Sequence, residues 1–147
     1  AYKNAFVYLW FHPEVGLWLG ATPERLLTVE NGNFKTMALA GTQKYNGTTK
    51  VIWQKKEKQE QQYVTEFMLE NLNKFAESLE FTTPFTVQAG NLVHLRTDIS
   101  GKLKSDNSLE KLINALHPTP AVCGLPKTVA ANFIVQHEGY ELSLIPI

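Results

Sequence analysis

The sequence has a single cysteine, Cys123, and no excess of charge of either sign. One cysteine excludes an intrachain disulfide and a cysteine-rich zinc site. With 14 basic and 14 acidic side chains the formal net charge is zero, which argues against electrostatic binding to nucleic acid or to an anionic membrane. Charged or polar residues interrupt every apolar run, so we expect no transmembrane helix. Without a secretory signal pattern, the expected location is the cytoplasm.

Apolar patterning predicts strands on both sides of one long helix. The 147 residues are 44% hydrophobic, which suffices for one globular domain with a core. The first apolar run is continuous, which is typical of a strand covered on both faces. Asn31-Gly32 between two runs predicts a hairpin turn, and a polar loop is expected from Gly41 to about Lys50. The predicted strands are residues 5–11, 17–22, 25–29, 34–40, 85–87 and 92–99.

The long helix is predicted over residues 55–79, because apolar residues recur there at steps of three and four. Ser108 is a suitable N-cap for a helix over residues 109–116. Pro126 is suited to be the first residue of a helix that reaches about His137. The order of elements predicts an α+β fold in one piece. The apolar stripe of the long helix consists of Val64, Phe67, Met68, Leu72, Phe75 and Leu79.

Both ends of the sequence lie in or near apolar, strand-like segments, at residues 5–11 and 142–147. Complete domains more often begin and end on solvated residues. We therefore expect residues 1–147 to be part of a larger domain, truncated at both ends. Exposed strand edges in these two segments would favour self-association.

Two carboxylates near the start of the long helix are candidate metal ligands. Glu57 and Glu60 are three residues apart and share a helix face. Because Glu60 precedes Val64 by four residues, we place it on the line that continues the buried stripe. Two carboxylates one turn apart suit a hard cation such as Mg²⁺. The alternative is a solvated first turn, in which acidic residues favourably meet the helix dipole; periodicity alone favours that alternative.

Glu24 follows Pro23 at the end of an apolar strand, where partial burial could raise the pKa of the carboxyl toward that of a general acid. A turn glutamate in water is the simpler interpretation. Two segments rich in small residues, around Gly41-Thr42 and over residues 117–126, would allow close approach of a backbone to a ligand, or are ordinary loops. His94 is expected on the strand face opposite its apolar neighbours, and Cys123 is expected to be a packing residue.

Five blocks of sequence follow one another along the chain: Gly-Ala-Thr-Pro-Glu-Arg-Leu (20–26), Ala-Leu-Ala-Gly-Thr (38–42), Lys-Glu-Lys-Gln-Glu-Gln-Gln-Tyr-Val (56–64), Val-His-Leu (93–95) and His-Pro-Thr-Pro-Ala-Val-Cys-Gly-Leu-Pro (117–126). Taken in order, they resemble the chorismate-utilising enzymes, a family that includes isochorismate, salicylate, anthranilate and aminodeoxychorismate synthases. The Pro-Thr-Pro-Ala-Val segment within the last block resembles the isochorismate synthase branch. The resemblance implies a fold of antiparallel sheets with helices packed outside.

The resemblance implies a reaction and a site. Chorismate would be isomerised to isochorismate by addition of water at C2 and loss of the C4 hydroxyl, with Glu24 as the general acid. Glu57 and Glu60 would hold Mg²⁺. The residues implied to line the chorismate pocket are Gly41, Thr42, His94, Ala121 and Gly124.

The sequence also departs from the family pattern. Met37 replaces a common glutamate, and Gln61 replaces a common histidine after the metal-binding glutamate. The family's basic lysine, its later substrate arginine and its second magnesium glutamate have no counterpart in these residues. The alternatives are therefore a salicylate synthase, which would also release pyruvate, and a non-catalytic fragment. The sequence does not distinguish menaquinone from siderophore biosynthesis.

Overall fold

The computed structural model describes residues 5–22, 25–105 and 109–138. Antiparallel sheets and helices are mixed, which confirms the α+β prediction. None of the helices in these ranges is long and apolar enough to cross a membrane. In chain order the elements are β1 (Phe6–His12), β2 (Gly16–Thr22), β3 (Thr28–Glu30), β4 (Asn33–Lys44), α1 (Lys55–Phe75), β5 (Ala76–Phe81), β6 (Phe85–Ala89), β7 (Leu92–Leu103), α2 (Leu109–Leu116) and α3 (Lys127–His137).

A five-stranded antiparallel sheet is built around β7. Strand β4 pairs with one edge of β7, while β5 and β6 share the other edge, and β3 pairs with the start of β4. The turn between β3 and β4 has Asn31 and Gly32 at positive φ (51° and 77°), as a two-residue hairpin requires. The predicted Asn-Gly hairpin is therefore confirmed.

The core lies between one face of this sheet and the helices α1 and α2. Alternate residues of β7 point to that face, so that Val93, Leu95, Thr97 and Ile99 are buried while their neighbours are only partly so. This alternation places His94 on the opposite side from its apolar neighbours, as expected. The main cluster of buried residues is Phe34, Ala38, Val64, Met68, Leu72, Ala76, Ile99, Leu103, Leu112 and Leu116.

Several boundaries differ from the sequence prediction; β3, for example, begins at Thr28 instead of residue 25, and β7 continues to Leu103 instead of ending at residue 99. Helix α1 ends at Phe75, and Leu79 belongs to β5, where it pairs with Gly101 of β7. The prediction used only the spacing of apolar residues along the chain. That spacing carries no information about a distant strand, so it could not show that the residues after Phe75 pair with β7 instead of continuing the helix. Strand β4 continues through Gly41 to Lys44 instead of giving way to a loop. Helix α3 begins at Lys127, one position later than predicted, and Pro126 is its N-cap. The proposed cap Ser108 lies outside the described residues.

The buried line of α1 also differs from the prediction. It runs through Gln61, Val64, Met68 and Leu72, and Gln61 is only 1% exposed. Glu60 is exposed, so its assignment to this line was wrong. Helix periodicity defines a stripe only to within about one position, and the sheet that packs on the helix decides which residue is covered.

Strands β1 and β2 form a separate two-stranded hairpin in the described structure, from Phe6↔Thr22 to His12↔Gly16. Its apolar side chains are exposed; Leu9, for example, is 72% accessible. The expectation that the first strand is covered on both faces is therefore wrong for the described residues. A continuous apolar run indicates a tendency to be covered, but burial requires a second layer from elsewhere in the molecule. The apolar end segment at residues 142–147 lies outside the described residues.

Candidate active site

A bulge in β4 shapes one wall of the candidate site. The pairing of β4 with β7 shifts register between Ala40 and Thr42, and Gly41 at the bulge has φ of 71°. A Cβ atom at Gly41 would lie 3.1 Å from Glu57 Cβ of α1. Glycine is therefore favoured twice at this position, by the backbone conformation and by the close approach of the helix.

The bulge places His94 of β7 opposite Thr42. His94 Nδ1 lies 3.2 Å from the carbonyl oxygen of Gly41 and 3.1 Å from Thr42 Oγ1. Because a carbonyl oxygen can only accept, the bond to Gly41 requires a proton on Nδ1. In the neutral ring Nε2 then carries the lone pair. Two fixed partners on one ring nitrogen hold the imidazole in one orientation beside the bulge.

The two glutamates of α1 lie on the side of the helix that approaches this bulge. Glu60 is an exposed side chain whose Oε1 lies 3.7 Å from Lys56 Nζ. Glu57 lies beside Gly41, and its Oε2 is buried with no hydrogen-bond partner among the described residues. A buried carboxylate oxygen without a donor is costly unless a cation compensates it.

This donor set fits a magnesium ion. Magnesium is commonly held by one or two protein carboxylates and keeps several waters. The described residues contain no group of three or more His, Cys, Asp or Glu side chains that could hold a metal. Glu57 and Glu60 could therefore hold Mg²⁺ as an open, partly hydrated site, and their role as ligands stays a prediction.

A cleft of about 680 Å³ lies between the β4 bulge, α1 and the segment 117–126. A cleft of this size is suitable for a small molecule. The structure brings every predicted pocket residue and Glu60 to this cleft, although they come from distant parts of the chain. Glu57 adjoins it through Gly41, and Glu24 lies outside the described residues. The cleft is lined by Leu39, Ala40, Gly41, Thr42, Glu60, Tyr63, Val64, His94, Pro120, Ala121, Gly124 and Leu125.

Two residues near the cleft were missed by sequence reasoning. Tyr63 lines it, and its hydroxyl accepts a hydrogen bond from Gln59 Nε2 at 2.8 Å. Its position three residues after Glu60 could have placed it on the same helix face. Gln61 Nε2 donates to the carbonyl oxygen of Ala38 at 3.0 Å and to Thr97 Oγ1 at 3.1 Å. It joins α1 to β4 and β7, and no local pattern in the sequence indicated these contacts.

The cleft is a concave site with one carboxylate, that of Glu60, at one wall and small residues at another, a form that suits a small-molecule ligand. The sequence matches the family described as chorismate binding enzyme over residues 1–144. The chain therefore belongs to this family, and the predicted resemblance is confirmed.

Individual relatives are isochorismate synthases. The chain is 36% identical over 133 residues to the salicylate biosynthesis isochorismate synthase of Pseudomonas aeruginosa, covering 84% of this chain and 28% of that protein. It is 30% identical over 138 residues to isochorismate synthase EntC of Escherichia coli, covering 88% of this chain and 35% of that protein. The chain thus spans about a third or less of the length of these relatives.

A solved structure supports the fold. The structure of MenF, the menaquinone-specific isochorismate synthase of Escherichia coli, matches with a TM-score of 0.74 and 30% identity. The match covers 84% of this chain and 31% of MenF. The predicted fold, part of the chorismate-utilising enzyme architecture, is therefore confirmed.

Proposed function

We propose that the protein carrying this chain is an isochorismate synthase that isomerises chorismate to isochorismate with Mg²⁺. The observation that carries the proposal is the convergence of Gly41, Thr42, Glu60, His94, Ala121 and Gly124 on one cleft. Membership of the chorismate binding enzyme family supports chorismate as the ligand. The names of the relatives support the isomerisation over the other reactions of the family.

In this proposal each described residue has a limited task. Glu57 and Glu60 hold Mg²⁺, which supplies positive charge for the substrate carboxylate. The ring of His94, held by Gly41 and Thr42, forms a fixed polar surface of the pocket. Ala121 and Gly124 leave room for the ligand on the opposite wall because they are small. The protein groups then orient chorismate for water addition at C2.

Departure of the C4 hydroxyl requires a proton, and Glu24 is the proposed donor. Replacing Glu24 with Gln in the full natural protein keeps the shape of the side chain and removes the transferable proton. We expect kcat to fall by a factor on the order of 10²–10⁴, the usual contribution of a positioned acid. The affinity for chorismate, measured by equilibrium binding, should change much less. A variant with near-normal turnover would show that another group is the acid.

The test of the proposal is to incubate the full natural protein with chorismate and Mg²⁺ and to separate the products by chromatography. Isochorismate alone supports the proposed activity. Salicylate with pyruvate would support the alternative of a salicylate synthase. Relatives with menaquinone and with salicylate roles both match, so the pathway is left to the genetic phenotype of a deletion strain. A cytoplasmic location stays a prediction.

The 147 residues on their own are expected not to catalyse the reaction. They offer no counterpart of the family's basic lysine to activate the water, nor of its second magnesium carboxylate. The same chromatographic assay, applied to the isolated segment with excess Mg²⁺, checks this expectation. Turnover comparable to that of the full natural protein would mean that the base lies among these residues or comes from a second copy.

A further inference from the structure

The last turn of α2 is capped by a lysine from another helix. Helix C-termini leave carbonyl groups without intrahelical partners and carry partial negative charge. Helix α2 has no basic residue in its own last turn. Lys127 Nζ donates to the carbonyl oxygens of Asn114 at 3.1 Å, Ala115 at 3.4 Å and His117. One ammonium group therefore meets several backbone acceptors at the end of α2.

Lys127 is also the first residue of α3, so these bonds connect the two ends of the segment 117–126. This segment supplies Pro120, Ala121, Gly124 and Leu125 to the cleft. The segment also contains local bonds, such as those from the backbone N–H groups of residues 122 and 123 to the carbonyl oxygen of Thr119.

Little apolar packing holds the far end of the segment. Within its described length, α3 buries none of its residues. The last turn of α2, by contrast, is anchored by the fully buried Leu112 and Leu116. A bond from α3 to the end of α2 therefore ties a weakly packed element to a firmly packed one.

The ammonium group is held in a partly desolvated position. Burial lowers the pKa of Lys127 from its ordinary value, and the nearby Cys123 acts in the opposite direction. Removing such a group from water is unfavourable unless acceptors replace the lost solvent. The backbone carbonyls at the end of α2 supply those acceptors.

We propose that Lys127 is a positioning residue that fastens the segment 117–126 to the end of α2 and thereby sets the width of the cleft. It acts through Ala121 and Gly124 and does not itself line the cleft. The expected effect of Lys127 on chorismate binding rests on the proposed function. Its role in fastening the segment 117–126 rests only on its contacts.

The experiment compares variants of the full natural protein by hydrogen exchange and by steady-state kinetics. Lys127→Met keeps most of the side-chain length and removes the ammonium donor. We expect amides of residues 119–125 to exchange about tenfold faster, because charge-assisted bonds that close the segment are lost. The KM for chorismate should rise about tenfold, with kcat changed by less than about threefold, because ground-state and transition-state binding weaken together.

The matched control is Lys111→Met, which makes the same chemical change at an exposed position of α2. It should leave exchange and kinetics unchanged. If Lys127→Met does not fold, Lys127→Leu also removes the charge and every side-chain N–H donor, and the same criteria apply to it.

Unchanged exchange in residues 119–125 of the folded variant would overturn the proposal. Faster exchange with an unchanged KM would overturn its link to the cleft. If the unmodified protein does not convert chorismate at all, the proposed function fails, and the exchange comparison still decides whether Lys127 fastens the segment.

Discussion

The two halves of α1 differ in the parts of the molecule that their side chains contact. The N-terminal half (residues 55–64) has Glu57 and Glu60 beside the cleft and the polar Gln61 on its buried side. The C-terminal half (residues 65–75) buries the apolar Met68 and Leu72 against the sheet and α2. The first half therefore borders the cleft and also contributes Val64 to the core, whereas the second half contributes Met68 and Leu72 to the core.

The residues that border the cleft thus lie in the N-terminal half of the helix, and most of its buried apolar side chains lie in the C-terminal half. Apolar burial in the C-terminal half fixes the helix, and the N-terminal half can then tolerate an uncompensated buried oxygen at Glu57. Such a group is unfavourable for folding unless a donor or a cation compensates it, as the proposed Mg²⁺ would. The comparison predicts that substitutions in the two halves affect different measurements.

The largest expected effect is on stability, from Leu72→Ala in the C-terminal half. Leu72 is 0% exposed, and truncating a fully buried leucine costs about 2–5 kcal/mol through lost transfer energy and a cavity. Urea unfolding of the full natural protein measures this change. Ile52→Ala, at a side chain that is 90% exposed, is the matched control and should change stability by less than about 0.5 kcal/mol. Weaker Mg²⁺ binding by the folded Leu72→Ala protein would contradict the prediction that substitutions in the two halves affect different measurements.

The next effect is on metal affinity, from Glu60→Gln in the N-terminal half. Loss of a partner that only orients a metal ligand weakens binding about 10–100-fold, so loss of a ligand itself should weaken Mg²⁺ binding at least about 100-fold. Stability should hardly change, because the carboxylate is 46% exposed and its bond to Lys56 is a surface ion pair. Isothermal titration calorimetry with Mg²⁺ checks this, with the exposed Glu70→Gln as control. If Glu60→Gln and Glu70→Gln bind Mg²⁺ with equal affinity, Glu60 is not a metal ligand.

The smallest expected effect is on stability, from substitution of Gln61, the buried polar residue of the N-terminal half. Gln61→Met fills a similar volume but removes the side-chain donor to the Ala38 carbonyl and one of the two donors to the Thr97 hydroxyl, the other being Thr65 Oγ1 at 3.4 Å. We expect a loss of about 1–3 kcal/mol in unfolding free energy, the cost of buried polar groups without partners. Gln61→His keeps an N–H donor and should lose less, and the exposed Gln62→Met should lose almost nothing. If Gln61→Met and Gln62→Met unfold at the same urea concentration, the hydrogen bonds of Gln61 do not contribute to stability.

Local signals in the sequence were reliable where the structure is decided locally. The Asn31-Gly32 turn and the helix over residues 109–116 agree with the structure because a glycine turn and a short amphipathic repeat depend on near neighbours. The end of α1 was misplaced by four residues because residues 76–79 pair with residues 101–103 of β7, which lie more than twenty residues further along the chain. The bulge at Gly41 also escaped local reasoning, since it is defined by register against β7.

For the site, the sequence supplied the residues and the tertiary structure supplied their neighbours. The ordered blocks were sufficient to indicate the chorismate-utilising family and to select Gly41, Thr42, His94, Ala121 and Gly124. Their meeting in one cleft, the orphaned oxygen of Glu57 and the contacts of Lys127 became visible only in the folded chain.

The sequence by itself determined the α+β class, the strand alternation around His94 and the candidate residues, because periodicity and block order are properties of the chain. Only the tertiary structure decided that Gln61 instead of Glu60 continues the buried line of α1, and that the described β1–β2 hairpin exposes its apolar side chains. The reason is physical: the pattern of a strand or helix states which residues share a face, but burial depends on which distant segment packs against that face.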